Sequence, residues 1–377
     1  MKRALIASLA VLALLAVVVP SAPAQQTDKI VKKDGTVLPR EGGRPIEVVK
    51  EGLTSVEYKM TGLTNTLKIP SKDVAEVKYG RMPDAYRNGL QSMKEDFLEQ
   101  AVDDFGVAIE KGAGFHWLMQ NALYRIAVCY VNIGNYPKAA DTYRELLREV
   151  PDTRYFPEAW LGIIQCRFLS GGAKNEKAIT KAMKDFQRAI QKNRLGNRWD
   201  LDIEYWELRL RDAKGEDIST AARELAEKAT GENPTIANKA RILIGDNLLG
   251  KNPQQEREFF DRVRRSAGAR DYGVKAGAYR GLGMCMFKTG SEKDRKTFET
   301  AREFFLRSIV LADQHPDLVE REDLVRSLYY AGRCFVILRR GGDKFNSRFA
   351  RDLFREVKEK FAGTEYARHA EDEIKKL

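Results

Sequence analysis

The chain has 377 residues, 43 % of them hydrophobic and 32 % charged, and its 65 lysines and arginines outnumber 54 acids for a formal charge of +11. Such a chain buries a core with ease and has the length of one small and one extended domain. The basic excess favours anionic partners such as lipid headgroups, acidic wall polymers or acidic proteins; nucleic acid fits the charge, but the exported setting implied by the N-terminus argues against it.

The chain opens Met1-Lys2-Arg3, runs apolar from Ala4 to Val19 and then reads Ala22-Pro23-Ala24. A basic start, an apolar run short of the roughly 20 residues that span a bilayer, and an A-x-A site are the parts of a secretory signal peptide. We expect residues 1–24 to be cleaved, leaving no membrane span in the mature protein; an uncleaved anchor is the alternative. Cleavage removes Lys2 and Arg3 and leaves a charge of +9. No cysteine follows the apolar run, so a lipoprotein anchor is not expected.

Residues 27–80 have another composition. Ile30–Lys32, Ile46–Lys50, Ser55–Met60, Thr66–Ile69 and Val74–Tyr79 each read as a short strand, separated by Asp34-Gly35, Gly42-Gly43, Glu51-Gly52 and Gly62 at turns. Five strands in so small a segment predict a barrel-like β domain, and the Lys33-Asp34-Gly35 turn resembles that of SH3-like or Sm-like barrels.

From Pro83 the period changes to that of helices. Leu123, Ile126, Ala127 and Tyr130 share one helical face, Gly134 breaks the helix, and Tyr136, Ala139, Tyr143, Leu146 and Leu147 share the face of a second that Pro151 stops. A hairpin of this kind cannot bury its own apolar stripe and must stack on copies. The pattern recurs around Ala85–Ile109, Ala159–Ile190, Leu201–Ala226, Pro234–Val263, Ala278–Ile309 and Leu328–Val357, about seven hairpins at a period of about 34 residues. We place the helical repeats over residues 83–363 and a capping helix over 364–377.

Residues Ala122–Pro151 resemble a tetratricopeptide repeat throughout, and Val150-Pro151-Asp152-Thr153-Arg154-Tyr155-Phe156-Pro157-Glu158-Ala159 resembles the junction between repeats in periplasmic members such as the Tol-Pal coordinator and the barrel-assembly lipoprotein. The expected fold is therefore mainly α: an α-solenoid of tetratricopeptide-like hairpins behind a small five-stranded β-barrel-like domain. The resemblance implies an exported scaffold, in the periplasm or secreted from a Gram-negative-type cell, that holds another envelope protein or peptide. The first helices would line a concave groove for an extended segment or partner helix. Its edge would carry Tyr124, Val128 and Asn132, then Leu161, Gln165 and Phe168, then Arg280, Met284 and Lys288, then Arg326, Tyr329 and Arg333. In other members such basic residues clamp a peptide carboxylate, although the full Lys/Asn clamp is missing here. The alternative is a basic solenoid that binds anionic wall glycan or a lipid surface.

No chemistry-bearing motif stands out. Cys129, Cys166, Cys285 and Cys334 fall at one repeated first-helix position, and neighbouring helices stand about 8–10 Å apart, beyond the roughly 7 Å limit of a disulfide; buried thiols are expected. His116, His315 and His369 lack metal-ligand spacing. Gly245-Asp246-Asn247-Leu248-Leu249-Gly250-Lys251-Asn252 approaches a phosphate loop but ends in asparagine, and no strand precedes it; it reads as a helix ending at Gly250. Acids such as Glu204 and Glu207 have basic neighbours, and none is marked as a raised-pKa acid. The sequence therefore supports no enzyme, catalytic residue, cofactor or metal.

Overall fold

A computed structural model describes residues 27–112, 114–249, 252–268, 271–291, 294–314, 320–339 and 344–377. The signal-peptide reading of residues 1–24, the helix end at Gly250 and His315 lie outside them. The chain divides into two compact units, one ending at Met82 and the other spanning Pro83–Leu377.

The first unit holds six strands: β1 (Lys29–Lys32), β2 (Val37–Leu38), β3 (Ile46–Glu51), β4 (Ser55–Met60), β5 (Thr66–Pro70) and β6 (Val74–Lys78). Five correspond to the sequence runs, and the two-residue β2 is too short to show a period. They form two antiparallel three-stranded sheets, ordered β2-β1-β6 and β3-β4-β5. A single 3₁₀ turn, Ser71–Asp73, separates the last two strands. Ile30, Ile46, Val48, Val56, Ile69, Val74 and Val77 are buried. Asp28 ties β3 to the segment that follows β6, its carboxylate accepting from the amides of Val48 and Gly80, each at 2.8 Å. At the Lys33-Asp34-Gly35 turn, the Thr36 amide bonds to Asp34 and brings its carboxyl down to about 2.

The second unit contains fifteen α-helices among the described residues. They pair as α1 (Asp84–Lys94) with α2 (Leu98–Lys111), α3 (Leu118–Ile133) with α4 (Tyr136–Glu149), α5 (Phe156–Leu169) with α6 (Glu176–Lys192), and α7 (Asp200–Ala213) with α8 (Ser219–Ala229). Then come α9 (Pro234–Leu248) with α10 (Pro253–Ser266), α11 (Tyr272–Thr289) with α12 (Arg295–Gln314), α13 (Arg321–Leu338) with α14 (Lys344–Lys360), and the single α15 (Glu365–Lys376). These are seven hairpins packed in sequence with a terminal helix, a tetratricopeptide-like solenoid. The fourth and fifth, faint in sequence, are complete.

One packing device recurs along the stack. Phe260 of α10 is fully buried and wedges between Gly245 of its own first helix and Gly281 of the next; a Cβ on either glycine would lie 2.4 or 2.3 Å from its ring. Only a residue with no side chain admits the ring that closely. Gly89 with Phe105, Gly283 with Phe305 and Gly332 with Phe354 repeat the contact. The apolar core is thus a row of aromatic wedges in small-residue notches.

Asparagine and threonine start several of these helices. Asn135, Asn233 and Thr364 accept from the amides of Lys138, Ile236 and Ala367, satisfying donors that have no partner within the helix. Gly134 ends α3 in the left-handed region with φ of 83°.

Candidate functional site

The first helices of the later hairpins converge on a cavity of about 230 Å³. Tyr205 and Arg209 of α7, Asn238, Lys239 and Asp246 of α9, and Glu322, Asp323 and Arg326 of α13 are among its lining. Helical spacing explains the set: Asn238, Lys239, Ile242 and Asp246 recur three and four residues apart, as do Glu322, Asp323 and Arg326.

Opposite charges pair across the helices. Arg280 of α11, 1 % exposed, holds Asp246 with two nitrogens at 2.5 and 2.8 Å and Asp323 through Nε at 2.8 Å. Arg209 reaches Glu322, more than a hundred residues later in the chain, at 2.5 Å, and Lys239 reaches Glu320 at 2.6 Å. Arg326 bonds Glu322 and stands 3.7 Å from Asp246.

Burial and these partners pull each ionisation in opposite directions. For Glu322, burial favours the neutral acid, but the charges of Arg209 and Arg326 outweigh it and hold the carboxyl far below its ordinary range. Glu320 is lowered in the same way, against burial, by Lys239. Asp323 goes the other way: burial raises it, Arg280 only partly offsets that, and Asp246 adds repulsion. Arg280 itself is raised, because Asp246 and Asp323 overcome the penalty of burial. Glu320 and Glu322 are therefore held as carboxylates, and the reachable members of the cluster are Lys239 and Glu320, whose side chains are 34 and 39 % exposed.

A second contact draws distant hairpins together. Arg321 donates from Nη2 to the carbonyls of Asn132 at 2.6 Å and Lys360 at 2.8 Å, and its guanidinium covers the Phe361 ring at 4.5 Å. Both carbonyls belong to the last turns of helices, α3 and α14, where a cation is favoured. At the same place Gly134 lies so close to Ala362 that a Cβ would meet its carbonyl oxygen at 2.3 Å. The turn of the second hairpin therefore touches the connection before α15. The second and seventh hairpins thus meet here, although the sequence suggests a concave groove running along the first helices.

The groove residues expected from the sequence have several fates. Arg280 and Arg326 meet at Asp246, inside the charge cluster, but Arg280 is sealed in the interior and not on a groove edge. Phe168 borders the cluster, with the Arg209 guanidinium 4.8 Å from its ring and Trp206 at 5.6 Å. Tyr329, 6 % exposed, packs on Phe354 and Tyr366 and accepts from Arg333 at 3.4 Å. Tyr124 stacks on Tyr155 with centroids 4.0 Å apart. Asn132 takes part through its backbone carbonyl. Lys288 is exposed near the end of α11.

Sequence reasoning passed over Arg209, Lys239, Asp246, Glu320, Glu322 and Asp323. Asp246 lay inside the false phosphate loop, and the only available signal was charge at the inward positions of first helices, where a repeat otherwise places small or apolar residues. The reading of the acids also needs correction: burial raises Asp202 to about 6, and burial followed by repulsion from Glu204 raises Glu207. Helical periodicity does not reveal how deeply a polar position is covered.

The four cysteines are free and buried, and burial pushes each thiol up to about 12. His116 and His369 are exposed. Among the described residues no group of three or more His, Cys, Asp or Glu is placed to hold a metal, and no helix is long and apolar enough to cross a membrane.

Residues 121–153 match the family model of the tetratricopeptide repeat. No curated protein matches the chain. The match falls on the hairpin α3–α4 and its exit, and together with the stacked hairpins it defines a tetratricopeptide-like solenoid with a small β unit. Proteins built from this repeat are typically non-enzymatic scaffolds for protein–protein interaction, and the match points to that role.

Proposed function

We propose that this chain is an exported scaffold of the bacterial cell envelope that holds a segment of another envelope protein against its first helices. The observation that carries the reading is the convergence of α7, α9, α11 and α13 on one cavity lined by charges of both signs, tyrosines and the Asn238 amide. A peptide backbone with charged side chains matches such a lining better than an apolar ligand, because Lys239 and Glu320 at its accessible side offer one donor and one acceptor. Export rests on the basic-apolar-small pattern of residues 1–24, and kinship with the Tol-Pal coordinator and barrel-assembly style rests on the Val150–Ala159 junction. We read the β unit as an SH3-like module; the pairing of β1 with β6, the β3-β4-β5 meander and the 3₁₀ turn before β6 support this.

A photo-crosslinking amino acid at Asn238 tests the proposal in intact cells, with the same group at Lys184 on the exposed side of α6 as control. The expected result is a discrete adduct with one envelope protein from position 238 only, surviving moderate salt. Equal adduct patterns at both positions, or none at 238, would remove the first helices as the binding face.

A further inference from the structure

We propose that the start of α14, with the cations around it, docks on an anionic lipid bilayer. Phe345 and Phe349 of α14 are 66 and 42 % exposed, and Phe345 is the most exposed large apolar side chain among the described residues. Four residues apart, they share one helix face. Their ring centroids lie 4.6 Å apart, and Phe349 stacks on Phe335 of α13 at 5.5 Å. The buried stripe of α14 is made by Ala350, Phe354 and Val357, so this aromatic pair is additional to the core.

Cations frame the pair. Arg302 of α12 covers Phe335 at 5.0 Å, and Arg295 donates to the Leu338 carbonyl at 2.9 Å, which brings its guanidinium to the same end of the hairpin. Arg339, Lys344 and Arg348 are exposed, the Arg348 side chain by 83 %. The first two turns of α14, Lys344–Arg351, carry three cations and no acid. Asp352 lies 3.8 Å from Arg348 and faces Arg355 as well, while Glu299 stands a turn from Arg295 and Arg302 on α12.

Charge alone would suit any polyanion, but exposed phenyl rings need an apolar layer behind the anions. A bilayer interface supplies both, phosphates for the guanidinium groups and the acyl boundary for the rings. This surface lies on a second helix and does not depend on the first-helix cavity.

The test is co-sedimentation of the chain lacking residues 1–24 with vesicles of phosphatidylcholine alone or mixed with phosphatidylglycerol. The wild type should bind only the mixed vesicles. Phe345→Ser with Phe349→Ser should weaken binding roughly tenfold or more, and Lys344→Ser with Arg348→Ser should weaken it by about the same factor. Lys177→Ser with Lys181→Ser, an equal charge loss on exposed α6 positions, should leave binding intact. Unchanged far-UV circular dichroism and melting keep the comparison free of folding effects, and the charge variant stands as an independent probe should the phenylalanine variant melt early. Absence of wild-type binding to the mixed vesicles would overturn the proposal, as would an equal loss in the α6 variant. Binding unaffected in the phenylalanine variant would overturn it too, assigning the surface to a soluble polyanion, or to a second copy of the chain if that variant instead abolished a dimer.

Discussion

The seams between first and second helices and the junction among first helices solve the same problem in opposite ways. At the seams, aromatic rings enter glycine notches, and the contact repeats from Gly89 with Phe105 to Gly332 with Phe354. At the junction, Arg209, Lys239, Arg280 and Arg326 meet Asp246 of α9 and the Glu320, Glu322 and Asp323 carboxylates at the start of α13. The seam tolerates no extra atom, whereas the junction tolerates no missing charge. The wedges stabilise by area removed from water; the ion pairs fix which first helix faces which, because a displaced partner leaves a buried charge.

The largest effect should come from breaking the junction. Arg280→Ala would leave Asp246 and Asp323 facing each other without their shared cation, an expected loss of about 3–5 kcal/mol in urea unfolding followed by circular dichroism. Arg280→Lys should recover only part of this, since one ammonium cannot reproduce the two-nitrogen grip on Asp246 together with the Nε bond to Asp323. A loss below about 1 kcal/mol, the range of exposed pairs, would mean that the junction does not hold the later hairpins together.

The seam is probed by adding an atom. Gly281→Ala places a methyl 2.3 Å from the fully buried Phe260 ring, and the expected destabilisation is about 1–3 kcal/mol. Phe260→Leu in the same chain should relieve part of the clash, so the double variant should be more stable than the sum of its singles predicts. Strict additivity would show that the ring and the notch do not meet.

This contrast also decides what the sequence could reveal. Within a hairpin the wedges lie 15 to 22 residues from their notches, so a single repeat displays both partners, as Gly332 and Phe354 do, whereas Gly281 belongs to the hairpin after that of Phe260. Helical periodicity is equally local, and it made the seven hairpins and the capping helix legible. Arg209 and Glu322 belong to different hairpins with two others between their first helices, and periodicity is blind to such pairs. Arg280 and Arg326 were noticed as basic first-helix residues, but cations on a solvated edge and cations in a sealed cluster have the same spacing. In the β unit the two-residue β2 was missed because Val37 and Leu38 are too few to alternate.

Asp202 tests the margin of the junction with a pH-dependent effect. Burial raises its carboxyl from the ordinary 3.8 to about 6, while the Lys239 charge pulls it down. The folded chain thus keeps a proton that the unfolded chain releases. By linkage, this group's contribution to stability is highest below about pH 4, falls as pH rises towards 6, and is lost above that. Asp202→Asn removes the ionisation, so the variant should be more stable than wild type at pH 7 by on the order of 1–2 kcal/mol, with the difference vanishing near pH 4. Parallel stability curves across this range would show that Asp202 is hydrated.

The smallest expected effect, a null one, separates covalent from packing explanations of the repeated cysteine slot. Cys129, Cys166, Cys285 and Cys334 occupy corresponding first-helix positions and are all buried and free. With their thiols pushed up to about 12, scarcely any is a thiolate at neutral pH, and thiolate is the form that reacts. The slot accepts cysteine as a small hydrophobe, with Cys285 Sγ donating weakly to Glu256 at 3.7 Å. Reductant should therefore leave the melting temperature unchanged even in protein recovered from an oxidising compartment. A fall on reduction would require two of these slots to approach within about 7 Å, nearer than packed helix axes stand, and the regular stacking of the hairpins would have to give way between them.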